Sequence, residues 1–128
     1  ASLGLCFFAV LLLPNAALGQ TSEKVVIASC YDGDTCTSST GEKIRLACID
    51  TPELRGKRAD PFTAKAARDY LRELLVGRKV TIRRTTTDRY GRTVAELFWN
   101  GSNVQQQLVA GGYASIYWRY ADQCPWIY

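Results

Sequence analysis

Acidic side chains gather at two points of the sequence. The stretch CYDGDTC, residues 30–36, places Asp32 and Asp34 around a glycine and has a cysteine at each end. The stretch DTPE supplies Asp50 and Glu53. Calcium and magnesium take oxygen ligands, chiefly carboxylates, so Asp34 and Asp50 could bind one ion if their two segments meet. An Asp in a turn more often caps backbone amides, and we favour that structural role for Asp32.

Two arginines and two further oxygen donors could complete such a site. The backbone carbonyl of Thr51 could be a third ligand, and Glu53 could reach a bound water. Arg45 and Arg92 lie near the acidic stretches in sequence, and a guanidinium matches phosphate oxygens with two parallel hydrogen bonds. Taken singly, Arg45 is better explained as an outward-facing strand residue and Arg92 as a solvated turn residue. Together they favour chemistry on a phosphate ester.

Aromatic side chains are dense in the second half of the chain. Nucleic acid bases stack on such side chains with about 1–3 kcal/mol each. An aromatic core is the alternative explanation. Trp118 and Tyr120 alternate and are predicted to share one face. The whole set is Tyr90, Tyr113, Tyr117, Trp118 and Tyr120.

Composition excludes several kinds of chemistry. The 128 residues contain no histidine, which rules out Ser-His and Cys-His nucleophile pairs and histidine general bases. The formal net charge of +4 permits a polyanionic partner without requiring one. Catalysis on this chain would therefore use carboxylates, arginine, lysine, tyrosine or a metal held by oxygen.

The first 19 residues differ from the rest because they carry no charge. Their apolar run and the small residues before Gln20 are typical of a secretory signal peptide, here without its basic start. An uncleaved membrane anchor or a buried helix would be the alternatives. We expect residues 1–19 to be a truncated signal peptide and residues 20–128 to be one domain, secreted or periplasmic.

Cysteine usage agrees with export. Of the five cysteines, Cys6 lies in the apolar segment, and four cysteines in a small exported domain favour two disulfides over a metal site. Three pairings are possible. If residues 30 and 36 flank a hairpin turn, they face each other, which favours one bond there and leaves the other two cysteines to pair. The four candidates are Cys30, Cys36, Cys48 and Cys124.

The order of the predicted elements indicates an OB-fold barrel. Apolar and β-branched runs predict strands at 23–31, 35–40 and 44–50, and later at 78–87 and 93–99. Helical spacing begins at Phe62 and ends at Gly77. Asn103 is predicted to cap a second, short helix, and residues 113–120 are predicted to be extended. The fold class is thus α+β and mainly β, a five-stranded barrel with helices.

Three motifs in order, DGDT, IRLACIDTPE and DRYGR, closely resemble the staphylococcal nuclease (thermonuclease) family. The resemblance runs from about Val25 to Tyr120. It implies a secreted bacterial homologue with the OB barrel. It also implies calcium-dependent hydrolysis of phosphodiester bonds in DNA and RNA, leaving 3′-phosphates. Single-stranded substrates would be favoured, no stable protein partner is implied, and a monomer is expected.

The resemblance also implies a role for each matching residue. Asp34 and Asp50, with the carbonyl of Thr51, would hold calcium, and Glu53 would orient or deprotonate the attacking water. Arg45 and Arg92 would bind the phosphate as catalytic residues. The residues expected to bind the nucleotide are Arg89, Tyr90, Trp118 and Tyr120, with Arg89 standing where the type member has lysine.

The sequence departs from the family pattern in three ways. The loop after DTPE is shorter, with LRGKRADP at its tip, and this affects substrate preference. The four cysteines are absent from the type member. The family's last helix would follow residue 128, so we expect a fragment at both ends. A binding module that holds nucleic acid without cutting it is the main alternative, and a disulfide-linked interaction domain is another.

Overall fold

The computed structural model describes residues 22–128, so the proposed signal peptide lies outside the described residues. Eight strands and two α-helices follow one another along this part of the chain. The strands are β1 (Lys24–Asp32), β2 (Thr35–Ser38), β3 (Lys43–Leu46), β4 (Ile49–Asp50), β5 (Lys79–Thr87), β6 (Thr93–Trp99), β7 (Ser102–Asn103) and β8 (Ser115–Ile116). The helices are α1 (Pro61–Leu75) and α2 (Val104–Ala110).

Five of the strands close into a barrel. Antiparallel pairing gives the order β3-β2-β1-β5-β6, and a parallel pairing between β3 and β6 joins the two ends of this sheet. β7 extends β6 by a short pairing, while β4 and β8 form a separate two-stranded ladder. The predicted OB-fold architecture of five strands with helices is therefore confirmed.

Both helices begin at the residues that the sequence indicates. Asp60 precedes α1, its carboxylate accepts a hydrogen bond from the Thr63 amide, and Pro61 follows it. The Asn103 side chain caps α2 by accepting from the Gln106 amide at 2.9 Å. α1 packs against β1. Among the described residues, no helix is both long and apolar enough to cross a membrane.

Buried side chains from the barrel and both helices form one core. The alternating inward positions of the strands meet the apolar stripe of α1, and burial of each such side chain contributes about 1.5–3 kcal/mol. The largest fully buried apolar members include Ile27, Ile44, Leu46, Ile49, Leu71, Leu75, Leu97 and Leu108. This core holds the strand ends that carry the acidic residues.

Two expected strands are different in the structure. The predicted strand 44–50 breaks after Leu46, because Cys48 adopts a left-handed φ of 69°, and the chain resumes as β4 in another sheet. The segment 113–120, predicted to be extended, is a strand only at Ser115–Ile116 and then turns into a 3-10 helix at Trp118–Gln123. Both departures bend the chain around the candidate site.

The structure contains both favoured disulfides. Cys30 and Cys36 lie opposite each other on β1 and β2 and are bonded. The bond between Cys48 and Cys124 joins the bend before β4 to the end of the 3-10 helix, 76 residues later. The first disulfide thus closes the hairpin that carries Asp34, and the second fixes the C-terminal segment beside β4.

Hydrogen bonds and ion pairs of Glu42 stabilise the barrel where the β2–β3 turn lies beside β5 and β6. The Arg84 guanidinium on β5 donates to both carboxylate oxygens of Glu42, at 2.9 and 2.8 Å, and to Glu23 at 2.8 Å. The Thr93 hydroxyl donates to Glu42 at 2.7 Å. The hydrogen bonds from Arg84, and then the one from Thr93, lower the pKa of Glu42 to about 2 although burial opposes them. The Glu42 carboxylate therefore connects the β2–β3 turn to β5 and β6.

Replacing Glu42 with glutamine is expected to lower the free energy of unfolding by about 1 kcal/mol at neutral pH. Because the folded pKa lies below the ordinary value of 4.5, this contribution is complete above the ordinary value and is lost as pH falls towards 2. Urea unfolding of both proteins at several pH values measures the difference. A difference in the free energy of unfolding that stays constant down to pH 2, or does not change in 1 M salt, would contradict this stabilising role of the Glu42 carboxylate.

Gln105 of α2 fills a gap in the backbone hydrogen bonding of the barrel. Its side chain is completely buried. Its amide nitrogen donates to the carbonyls of Ala95 at 2.9 Å and Ala47 at 3.3 Å, and its oxygen accepts from the Leu97 amide at 3.2 Å. A single side chain thus connects α2, β6 and the bend that precedes β4.

Replacing Gln105 with leucine is expected to lower the free energy of unfolding by about 2 kcal/mol, because the buried Leu97 amide loses its partner. Chemical denaturation measures the loss. Gln106→Leu is the matched control, since Gln106 is the exposed neighbour on the same helix and should change stability by less than about 0.5 kcal/mol. Equal losses in the two variants would refute the role of the buried amide.

Candidate active site

The β1–β2 turn presents Asp34 at the end of the barrel. A side-chain carbon on Gly33 would lie 2.8 Å from Ala67 Cβ and 2.9 Å from Thr51 Cγ2, so only glycine allows the turn to approach α1 this closely. The Asp34 amide donates to the Asp32 carboxylate at 3.1 Å. Asp32 thus shapes the turn, as its position in the sequence indicated.

A single arginine joins the two acidic stretches. The register of β2 with β3 places Arg45 opposite Thr35, the residue after Asp34. Arg45 Nη1 lies 3.4 Å from Asp34 Oδ2, and Nη2 lies 3.7 Å from Asp50 Oδ1. The same guanidinium donates to the Leu46 carbonyl at 2.8 Å. The carboxylates of Asp34 and Asp50, which are far apart in sequence, therefore converge on the Arg45 guanidinium group.

Asp34 is the most perturbed carboxyl group of the site. Its side chain is 10% exposed, whereas that of Asp50 is 61% exposed. Burial, reinforced by the nearby Asp32 charge, raises the pKa of Asp34 to about 7 although the Arg45 guanidinium lowers it. The Thr51 amide donates to Asp34 Oδ2 at 3.3 Å. Ionised Asp34 would gain strongly from a further positive charge nearby.

The donor atoms fit a hard divalent cation better than a transition metal. Within residues 22–128, no three His, Cys, Asp or Glu side chains converge on one point, so an ion bound here would take at most two ligands from such side chains. Asp34 and Asp50 supply carboxylate oxygens on either side of Arg45, and the carbonyl of Thr51 follows directly in sequence. Calcium and magnesium accept such sets and fill the remaining positions with water.

Glu53 lies just beyond this group, at the start of the loop that leads to α1. Its carbonyl accepts a hydrogen bond from the Asp60 amide at 2.9 Å, and its backbone forms a bridge with Ala59. These contacts fix the backbone, while the side chain is on the exposed surface. The structure therefore leaves the Glu53 carboxylate accessible to solvent. Glu53 is near Asp50 because it follows Asp50 closely in the sequence.

The β5–β6 turn carries a second basic group, separate from Arg45. Arg92 Nε donates to Asp88 at 2.7 Å, and the guanidinium groups of Arg89 and Arg92 lie 4.9 and 5.4 Å from the Tyr90 ring. Burial opposes ionisation of Asp88, but hydrogen bonds from Arg92 and the Tyr90 amide outweigh it and lower its pKa. Arg92 thus contacts Asp88 and not the Asp34–Arg45–Asp50 group.

The two expected stacking residues lie on the 3-10 helix after β8. Trp118 is 65% exposed and Tyr120 is 42% exposed, and the Tyr120 ring packs edge-on against Tyr117 at 5.3 Å. The Tyr117 amide donates to the Cys48 carbonyl at 2.8 Å. This hydrogen bond brings the exposed aromatic pair to the chain segment that leads into Asp50.

Asp88 is a site residue that the sequence analysis did not identify. It accepts from the amides of Tyr90 and Arg92 at 2.9 Å and from the Arg92 side chain, so it sets the turn and aims the arginine. Its place four residues before Arg92, at the start of a turn, was the available signal.

Comparison with known proteins identifies the family. A sequence profile described as "Staphylococcal nuclease homologue" matches residues 43–125. This match covers more than half of the chain and includes Arg45, Asp50, Glu53 and Arg92. The chain belongs to the staphylococcal nuclease family.

Several relatives carry nuclease names. An uncharacterized endonuclease of Escherichia coli is 36% identical over 93 residues, which are 70% of this chain and 58% of that protein. A probable endonuclease of Komagataella phaffii is 34% identical over 80 residues, 58% of this chain and 35% of the relative. A staphylococcal-like nuclease of Arabidopsis thaliana is 36% identical over 87 residues, 66% of this chain and 25% of the relative. The chain spans at most about three fifths of these proteins.

Proposed function

We propose that the protein is a calcium-dependent nuclease that hydrolyses phosphodiester bonds of DNA and RNA and leaves 3′-phosphates. The observation that carries this proposal is the convergence of Asp34 and Asp50 on the Arg45 guanidinium. Family membership and the endonuclease names of several relatives support it. Oxygen ligands and a bidentate phosphate donor in one place are the requirements of metal-assisted phosphodiester cleavage.

Asp34, Asp50 and the Thr51 carbonyl would hold the calcium ion. When bound, the ion would neutralise phosphate charge and polarise the phosphoryl oxygen. Asp34 would bind it as a carboxylate, and burial of this side chain keeps its position fixed. Asp50, which is more exposed, would complete the site from β4.

Glu53 would orient the attacking water and accept its proton. Its exposed carboxylate can meet a water molecule without displacing protein contacts. Arg45 and Arg92 would neutralise the charge that accumulates on phosphorus oxygens during in-line attack, before the 5′-oxygen leaves. Arg92 would reach the phosphate by exchanging part of its contact with Asp88.

The nucleotide would lie across two exposed aromatic surfaces. Arg89 and Tyr90, which are hydrogen-bonded to each other at 2.7 Å, would contact its terminal phosphate, and Trp118 and Tyr120 would stack on a base. Unstacked bases of single strands can reach such surfaces more easily than paired bases. We propose that single-stranded substrates are favoured, that the protein acts as a monomer, and that it is secreted or periplasmic.

The test is loss of single-stranded and heat-denatured DNA with calcium and with EDTA, after circular dichroism has shown that the sample is folded. Cleavage with calcium that stops in EDTA is the expected result. Asp34→Asn is the matched variant, because it keeps the shape of the buried side chain and removes its charge; it should fold and be inactive. A folded protein that binds DNA but cuts it under neither condition would replace the proposal with a binding module.

A further inference from the structure

A pocket of about 370 Å³ opens beside Asp50. Its volume falls in the range of pockets that hold small ligands, about 300–1,000 Å³. One wall is the end of β4 and the residues after it, and the other is the chain between α2 and β8. The lining residues are Asp50, Thr51, Pro52, Gly112, Tyr113, Ala114 and Ser115. None of the roles proposed above uses the second wall.

The β4–β8 ladder sets the position of this pocket relative to the exposed aromatic pair. The strands are antiparallel, with Asp50 opposite Ser115. At the Cys48 end of the ladder, the chain leaves β8 towards Trp118 and Tyr120. The pocket lies at the opposite end, where Pro52 faces the chain at 112–115. Asp50 therefore stands between two separate surfaces.

Tyr113 gives the pocket a fixed aromatic wall. Its ring stacks on Tyr70 of α1, with ring centres 4.3 Å apart and planes 18° from parallel. It also covers Gly111, since a side-chain carbon there would lie 3.0 Å from the ring. The Tyr113 amide donates to the Leu108 carbonyl at 2.9 Å. A ring held on these sides loses little freedom when a base packs against it.

We propose that this pocket binds the second nucleobase of the substrate, on the opposite side of the scissile phosphate from the base stacked on Trp118 and Tyr120. The inference rests on the proposed function, because it places the phosphate at Asp34, Arg45 and Asp50. The Tyr113 ring packs against the base, and the Ser115 hydroxyl hydrogen-bonds to its edge. The substrate is thus a polynucleotide recognised through the bases on both sides of the cut bond.

The experiment compares three dinucleotides: one complete, one without the 5′ base and one without the 3′ base. Their dissociation constants are measured by NMR titration in EDTA, where nothing is cut, for wild type, Tyr113→Leu and Trp118→Ala. Each variant is expected to bind the complete dinucleotide about tenfold more weakly, as loss of one base stack predicts. The Tyr113→Leu effect disappears when one base is missing, and the Trp118→Ala effect disappears when the other is missing.

A second variant tests the pocket in case Tyr113→Leu does not fold correctly. Ser115→Leu enlarges an exposed side chain of β8 that lines the pocket and leaves the Tyr70–Tyr113 stack unchanged, and it should show the same base dependence. The inference is overturned if Tyr113→Leu weakens all three ligands equally, or if both variants respond to the same missing base. Because binding is read without cleavage, a protein that binds in this pattern but never cuts would overturn only the proposed nuclease activity.

Discussion

Replacing Glu53 with glutamine is expected to lower kcat for DNA cleavage by about 10²–10⁴-fold, the usual contribution of a general base. The amide keeps the size of the side chain but cannot accept the proton of the attacking water. Because the side chain is exposed, the change should leave the thermal unfolding temperature nearly unchanged. Steady-state cleavage of single-stranded DNA at saturating calcium measures kcat, and titration in EDTA measures binding.

The control for Glu53 is Glu73→Gln. Glu73 is an exposed acidic residue on α1, so this variant makes the same change in net charge away from the carboxylate pair. It should cut at the wild-type rate. If the Glu53→Gln protein retained the wild-type kcat, or lost DNA binding in parallel with activity, Glu53 would not be the general base, and another residue would have this role.

Replacing Arg45 with lysine should lower kcat/KM by about 10²–10³-fold, as removal of one group that stabilises transition-state charge does. Lysine keeps the charge but presents it as a point, whereas the guanidinium contacts Asp34, Asp50 and the Leu46 carbonyl together. The ammonium group cannot span the two carboxylates and also make two parallel bonds to a phosphate.

Arg68→Lys is the control for Arg45. Arg68 pairs with the exposed carboxylate of Asp69 on α1 at 3.0 Å, so the same chemical change is made at an arginine whose ion-pair partner is neither Asp34 nor Asp50. Activity should be unchanged in that variant. If Arg45→Lys were as active as the parent, the two parallel hydrogen bonds of the guanidinium group would be unimportant, and only the positive charge of Arg45 would matter.

The sequence predicted the barrel because most of its signals are local. β-branched strands, the helical spacing from Phe62 to Gly77, and Asn103 before α2 each indicate an element without help from distant residues. The hairpin turn at residues 32–34 favoured one of the three possible disulfide pairings, and the structure contains that pairing. In contrast, the break at Cys48 was not predicted, because a left-handed conformation at a non-glycine residue is imposed by contacts far along the chain.

The candidate site could be predicted only in part, because some of its contacts also depend on residues far apart in the sequence. Motifs indicated Asp34, Arg45 and Asp50, and the structure brings them together through the β2–β3 register and the bend before β4. The contact between Arg92 and Asp88 depends on the shape of one turn. The role of Gln105 depends on which backbone groups the barrel leaves unpaired, and this is set only after closure. Residue spacing alone does not contain that information.

The disulfide between Cys48 and Cys124 has a consequence for the molecule after proteolytic cleavage. It turns the chain from β4 to the 3-10 helix into a covalent ring that contains most of the fold. The exposed basic loop with Arg55, Lys57 and Arg58 lies within that ring. A protease that cuts this loop once produces a nicked molecule whose two pieces stay joined, with Asp34 on one side of the nick and Trp118 on the other. In an oxidising environment, a single nick would therefore not separate Asp34 and Asp50 from the exposed Trp118 and Tyr120.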